Sequence, residues 1–134
     1  GYKEYNKQVV NSDLEAKLNE YKASLDDVKS IVVESVEWSL ENGSTMTFAA
    51  VDYVDTYFAI DGGSESKIAY LNPVAHDASK LIKLTSSGTD LKQFLSKKNF
   101  YVVSKGFNNT IIEVAQPVKI TINYKIRANV VPLK

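Results

Sequence analysis

The only histidine, His76, is followed directly by Asp77 in the stretch Asn72-Pro73-Val74-Ala75-His76-Asp77, which has the composition of a loop. Imidazole beside carboxylate is what a metallohydrolase uses to hold adjacent positions on its metal, but such a centre needs further nitrogen or sulfur ligands. With one histidine and no cysteine in the chain, neither a zinc site nor a serine triad can be assembled, and His76 reads as an exposed loop residue. The lack of cysteine also excludes disulfide frameworks, iron–sulfur clusters and thiol nucleophiles. Carboxylates need fewer partners, since a glycosidase works with two, roughly 5 to 9 Å apart. The candidates are Asp52 and Asp55 together with Asp61 and Glu65. Asp52 and Asp55 differ in strand parity, so a regular strand points them to opposite faces, and hydrolysis by paired carboxylates is not favoured. Asp61, Ser64 and Glu65 offer hard oxygens of the kind calcium takes, on a glycine-containing loop. Their spacing is not that of a twelve-residue calcium loop, and a solvated turn is the better reading. Gly62-Gly63 and Gly106 stand in no phosphate-binding or dinucleotide pattern. The expectation is a non-enzyme without metal or cofactor.

Two residue sets suit binding better than catalysis. Lys119, Lys125 and Arg127 share one parity in the last apolar-alternating segment, where they form either a platform for an anionic partner or a solvated face paired with Glu34, Glu37 or Asp52 on neighbouring strands. The second account is preferred. Nucleic acid is disfavoured, because the chain has a single arginine, the residue on which bidentate base and phosphate recognition chiefly relies. Tyr53, Tyr57, Tyr70 and Tyr101 are nominal candidates for stacking on sugar rings, with Tyr53 and Tyr57 on one parity. The commoner role of such residues is to complete a core with the hydroxyl at its rim.

The elements that must position these residues are mainly strands. From Val118 to Val130 the residues Val118, Ile120, Ile122, Tyr124, Ile126, Ala128 and Val130 alternate with Lys119, Thr121, Asn123, Lys125, Arg127 and Asn129. That is a strand with one buried and one wet face, the pattern of an antiparallel rather than a doubly covered parallel sheet. Strand character recurs over 28–40, 45–50, 51–60, 67–71, 81–85, 100–104 and 111–114. Within 28–40 the apolar parity changes near Glu34, which predicts a β-bulge. Asn42-Gly43 predicts a hairpin turn and Asp61-Gly62-Gly63-Ser64 a second turn. Helix signals are confined to Ser12–Tyr21, where Ser12 and Glu15 suggest a capping box, and to the segment from Thr89 to Asn99.

A chain of 134 residues, 44% apolar and 24% charged, is the size and composition of one globular domain, here taken as 1–134. Its sixteen basic and sixteen acidic groups cancel, yet residues 1–91 hold eight basic against fifteen acidic, net −7, and residues 92–134 hold eight against one, net +7. No run approaches the roughly eighteen apolar residues of a membrane span. Gly1 looks like the remnant of a cleaved tag, which leaves room for a natural leader or lipid-anchor segment before Tyr2. The expected fold is all-β, an antiparallel β-sandwich of immunoglobulin-like type with one or two short helices in connections.

The runs Gly88-Thr89-Asp90-Leu91 to Leu95, Phe100-Tyr101-Val102-Val103-Ser104 and Pro117-Val118-Lys119-Ile120-Thr121-Ile122-Asn123-Tyr124, with Val28-Lys29-Ser30-Ile31 to Leu40 before them, resemble small β-sandwich lipoprotein domains of Bacteroidetes. The resemblance covers about residues 10–130 at the level of pattern and carries no residue of known role. It implies export, a lipid anchor and a binding or structural role at the cell envelope, toward an unknown protein or glycan partner.

Overall fold

The computed structural model describes residues 2–41, 43–112 and 116–128. It is mostly antiparallel sheet, 53% strand and 14% helix. The strands are β1 (Tyr2–Asn11), β2 (Val28–Leu40), β3 (Val51–Ala59), β4 (Glu65–Leu71), β5 (Leu81–Ser86), β6 (Asn99–Asn108) and β7 (Val118–Ala128). Two short helices, α1 (Leu14–Glu20) and α2 (Lys92–Leu95), sit in the β1–β2 and β5–β6 connections. The strands form one sheet in the order β1-β6-β3-β4-β5-β2-β7, curled into a half-barrel with β1 and β7 as its two rims. This is the expected antiparallel all-β class with short connecting helices. An immunoglobulin-like sandwich is not confirmed, because the hydrogen-bonded order is continuous through all seven strands.

The curl turns at β5. Its Leu81–Leu84 half pairs with Val36–Ser39 of β2, while Thr85 and Ser86 pair with Tyr70 and Ala69 of β4. One strand thus serves two neighbours at its two ends, which folds the β2/β7 side back over the β3/β6 side. Between the two sides lies the core. Phe58 of β3 meets Phe100 at 4.7 Å between centroids and Phe94 of α2 edge-on at 5.8 Å. Trp38 of β2 packs on Phe48 at 6.4 Å and donates its indole N–H to Thr56 Oγ1 of β3 at 3.0 Å. Both Trp38 and Thr56 are buried, so this bond ties the two sides together where an unpaired indole N–H would be costly.

The parity change in β2 has its predicted cause. The β2–β7 register slips between Val33 and Ser35, so Ile31 and Val33 before the slip and Val36, Trp38 and Leu40 after it all face the core. The Asp61–Ser64 turn joins β3 to β4, which pair as a hairpin, with Gly62 at φ +70.

Other expectations need correction. Residues 45–50 are not a strand: they lead into a 3-10 turn at Phe48–Ala50 whose Phe48 plugs the core. The turn expected around Gly43 forms, with the Ser44 N–H donating to the Glu41 carbonyl at 3.1 Å and Gly43 at positive φ, but it closes no β2–β3 hairpin, because β2 pairs with β5 and β7 instead. Ile111 and Ile112 lie in a connection, and residues 113–114 and 129–130 lie outside the described residues. Ser12 does not box with Glu15. Its hydroxyl donates to the Leu95 carbonyl and binds α1 to α2, whereas a true capping box forms between Ser24 and Asp27. β1 was not expected at all: its sequence YKEYNKQVVN is polar on both parities, as suits a rim strand with little to bury.

Candidate functional site

The half-barrel does not close. Between its rims runs a cleft of about 830 Å³, and its two walls differ in chemistry. On the β1 side, Lys3, Asn6 and Gln8 turn inward, because their cross-strand partners Gly106, Ser104 and Val102 lie opposite the core-facing Val54, Thr56 and Phe58 of β3. On the other side, Val118, Ile120, Ile122 and Tyr124 of β7 continue the apolar surface of Trp38 and Leu40. Ile112, Gln116 and Pro117 of the β6–β7 connection line one end. Burial pushes the hydroxyl of the cleft-lining Tyr124 up to about 12, and the Asp13 carboxylate adds to the shift.

The apolar row of β7 is therefore only half covered. Val118 and Tyr124 are each 37% exposed and Ile126 44%, although their parity is that of a core face. Their register partners on β2, Leu40, Val33 and Ile31, are buried. The expected inward alternation of this strand is present, but the interior it faces is an open cleft.

Tyr5 sits at a register slip in β1, between Glu4 and Asn6. Its ring fills the space that a side chain at position 106 would take: a Cβ there would lie 2.6 Å from Tyr5 Cε2 and 2.9 Å from the Tyr53 carbonyl oxygen. The Tyr5 hydroxyl donates to Asn108 Oδ1, and burial pushes its pKa up to about 12. Gly106 is thus the position that lets β1 lie close on β6 at the cleft wall.

The four tyrosines proposed from sequence share one face. Tyr53 and Tyr57 of β3, Tyr70 of β4 and Tyr101 of β6 all point to the convex side, opposite the cleft. Their rings, however, do not lie open. Tyr53 is stacked between Tyr2 and Phe107, at 5.8 and 5.6 Å. The Lys105 and Lys67 ammoniums lie 4.8 and 5.8 Å from the centre of Tyr57, and Lys7 lies 4.7 Å from that of Tyr101. Tyr70 is the exposed one of the four.

The same face holds Asp55, 6% exposed, which accepts from the Tyr2 hydroxyl at 2.9 Å and pairs with Lys67 at 3.3 Å. Tyr2 also meets the Tyr57 hydroxyl at 3.1 Å. Burial, followed by these two hydrogen bonds, raises the Tyr2 pKa well above its usual value. Lys105 binds Glu65, and that hydrogen bond raises the lysine's pKa.

The other candidates do not converge. Asp52 accepts from Asn109 Nδ2 at 3.0 Å, Asp55 and Glu65 have the lysine partners just described, and Asp61 is exposed in its turn. Among the described residues no three His, Cys, Asp or Glu side chains gather as metal ligands, and His76 is exposed. Lys119, Lys125 and Arg127 are exposed on the outer face of β7, with Ser39, Val32 and Ser30 as their β2 neighbours. The ion pairs among the described residues join Lys17 to Asp13, Lys67 to Asp55 and Lys105 to Glu65, so the expected partnership with Glu34, Glu37 or Asp52 is not made.

Sequence reasoning missed the β1 wall, Tyr2 and the cleft itself. The only available signal was the Val9-Val10 pair after a polar run, too short to mark a strand. No helix among the described residues is long and apolar enough to cross a membrane. Compared with known proteins, the chain matches no family model, no curated protein and no solved structure.

Proposed function

We propose that this protein is a non-catalytic binding domain, secreted or held at the cell envelope, whose ligand site is the cleft between the rims of the half-barrel. The envelope setting rests on the sequence resemblance; the binding role rests on the cleft. Its volume of about 830 Å³ lies in the range of ligand sites, which are commonly lined by apolar surface with a few polar groups to orient the occupant. The carrying observation is that a β7 row patterned for burial, from Val118 to Ile126, is left 37–44% exposed at three positions. Apolar side chains held half-open to water stabilise any occupant that covers them. The β1 wall carries Lys3, Glu4, Asn6 and Gln8 beside Tyr5 and Val10, so with the apolar β7 wall it suits an elongated occupant that is apolar toward β7 and more polar toward β1.

Carbohydrate binding by Tyr53, Tyr57, Tyr70 and Tyr101 has less support, since three of the four rings are already engaged by neighbouring side chains. Hydrolysis by carboxylates has less still, as those candidates do not share a site.

Trp38 lines the cleft and is the sole tryptophan, which supplies the assay. The dye 1-anilinonaphthalene-8-sulfonate is expected to bind the native chain and take up energy from Trp38, and Val118→Asp, at a 37% exposed position of the cleft wall, is expected to abolish the transfer while circular dichroism stays unchanged. Native protein that binds no dye, or a variant that binds it equally, refutes the reading.

A further inference from the structure

We propose that the free edge of β7 takes up an extended strand from a partner polypeptide, one in which apolar and acidic residues alternate. The apolar side chains enter the cleft and the acidic ones lie beside Lys119, Lys125 and Arg127. The proposal rests on the reading of the cleft as the binding site and names its occupant.

The backbone supplies the first reason. Among the described residues β7 is the last strand in the sheet order and is hydrogen-bonded to β2 alone, so alternate N–H and C=O groups along its eleven residues face outward. Such a row is a template for another strand. Direction supplies the second. Each of the six neighbouring pairs in the sheet is antiparallel, so β1 and β7 run the same way. A strand antiparallel to β7 is therefore antiparallel to β1 as well, and it continues the sheet's own pattern from either rim of the cleft.

Side-chain alternation sets the occupant's composition. A strand laid on β7 keeps the period of two, so one of its faces meets Val118, Ile120, Ile122 and Tyr124, and the other meets Lys119, Lys125 and Arg127. Those three cations have neutral cross-strand neighbours on β2, namely Ser39, Val32 and Ser30. Opposite charges directly across a strand pair stabilise it and like charges destabilise it, so the charge on β7 is complemented by acidic residues on the incoming strand. The same row works against self-pairing: a second copy adding its own β7 would bring two basic rows together.

The test uses an eleven-residue fluorescein-labelled peptide of alternating valine and glutamate. It is compared with a valine–lysine counterpart and with a peptide of the same composition in which the valines and glutamates form two blocks. With the whole chain, anisotropy is expected to show the alternating acidic peptide binding about tenfold or more tightly than either control. Binding should weaken as salt is added, and hydrogen exchange at β7 amides should slow. In the triple variant K119E/K125E/R127E, whose changes are all on exposed positions, the preference is expected to pass to the lysine peptide.

Equal binding of the blocked peptide, or an unchanged preference in the triple variant, overturns the proposal. If no peptide binds while the dye still takes energy from Trp38, the strand proposal falls alone. If the dye is silent too, the cleft reading falls with it.

Discussion

Ile31 and Ile126 are directly paired across β2 and β7 and face the same side of the sheet, yet one is 0% and the other 44% exposed. Truncating each to alanine measures how open the inner face of β7 is, just past the cleft-lining Tyr124, with residue type, strand pairing and facing direction held constant. At Ile31 the removed methyl groups leave a void in packed surroundings, and Ile→Ala at such a site costs about 2–5 kcal/mol. At Ile126 close to half of the side chain already meets water, and no closed cavity can form. The remaining transfer cost is about 0.5–1 kcal/mol at about 25 cal/mol per Å². Both substitutions lose a similar increment of strand preference, so their difference, about 2 kcal/mol, is the informative quantity.

Urea titration followed by Trp38 fluorescence is the direct assay, as a domain of this size is suited to two-state treatment. Ile31→Ala is expected to move the midpoint down by roughly 1 M or more, and Ile126→Ala by a few tenths. Costs that agree within about 0.5 kcal/mol would mean that the inner face of β7 is packed as tightly as that of β2. The half-open wall, and both binding readings built on it, would then be refuted.

Two further outcomes follow from the cleft wall. Gly106→Ala is expected to destabilise by about 1–3 kcal/mol in the same titration, because the new methyl group meets the Tyr53 carbonyl, which cannot swing away as a side chain would; a neutral result would show that the β3 backbone at Tyr53 and the Tyr5 ring do not lie that close to position 106. Tyr124 and Tyr5 hold pKa values of about 12 in the fold against about 10 in the unfolded chain, so below pH 10 their contribution is fully present. Between about pH 10 and 12 the unfolded chain releases these protons while the folded one keeps them, so stability falls as pH rises. Urea midpoints across that range are expected to fall less steeply in Tyr124→Phe than in the parent, and equal slopes would mean that the hydroxyl is not desolvated.

Much of the fold is legible in local sequence because period-two alternation follows directly from strand geometry. Val118–Ala128 has this pattern without interruption, and the parity change at Glu34 locates a bulge because a slip of one residue moves every later side chain to the other face. The chemistry that the chain lacks is equally local: one histidine and no cysteine limit the possible sites whatever the fold.

Three features depend on contacts distant in sequence. The polar β1 is held by pairing with β6 and by Tyr5 over Gly106, about a hundred residues away, so its own composition carries almost no strand signal. The sharing of β5 between β2 and β4 curls seven strands into one half-barrel, and the composition of a strand does not specify how many neighbours it will have. The exposure of the β7 apolar row follows from that curl. Alternation determines which side chains point inward, but only the path of the whole sheet decides whether another layer is there to meet them, and here it leaves a cleft.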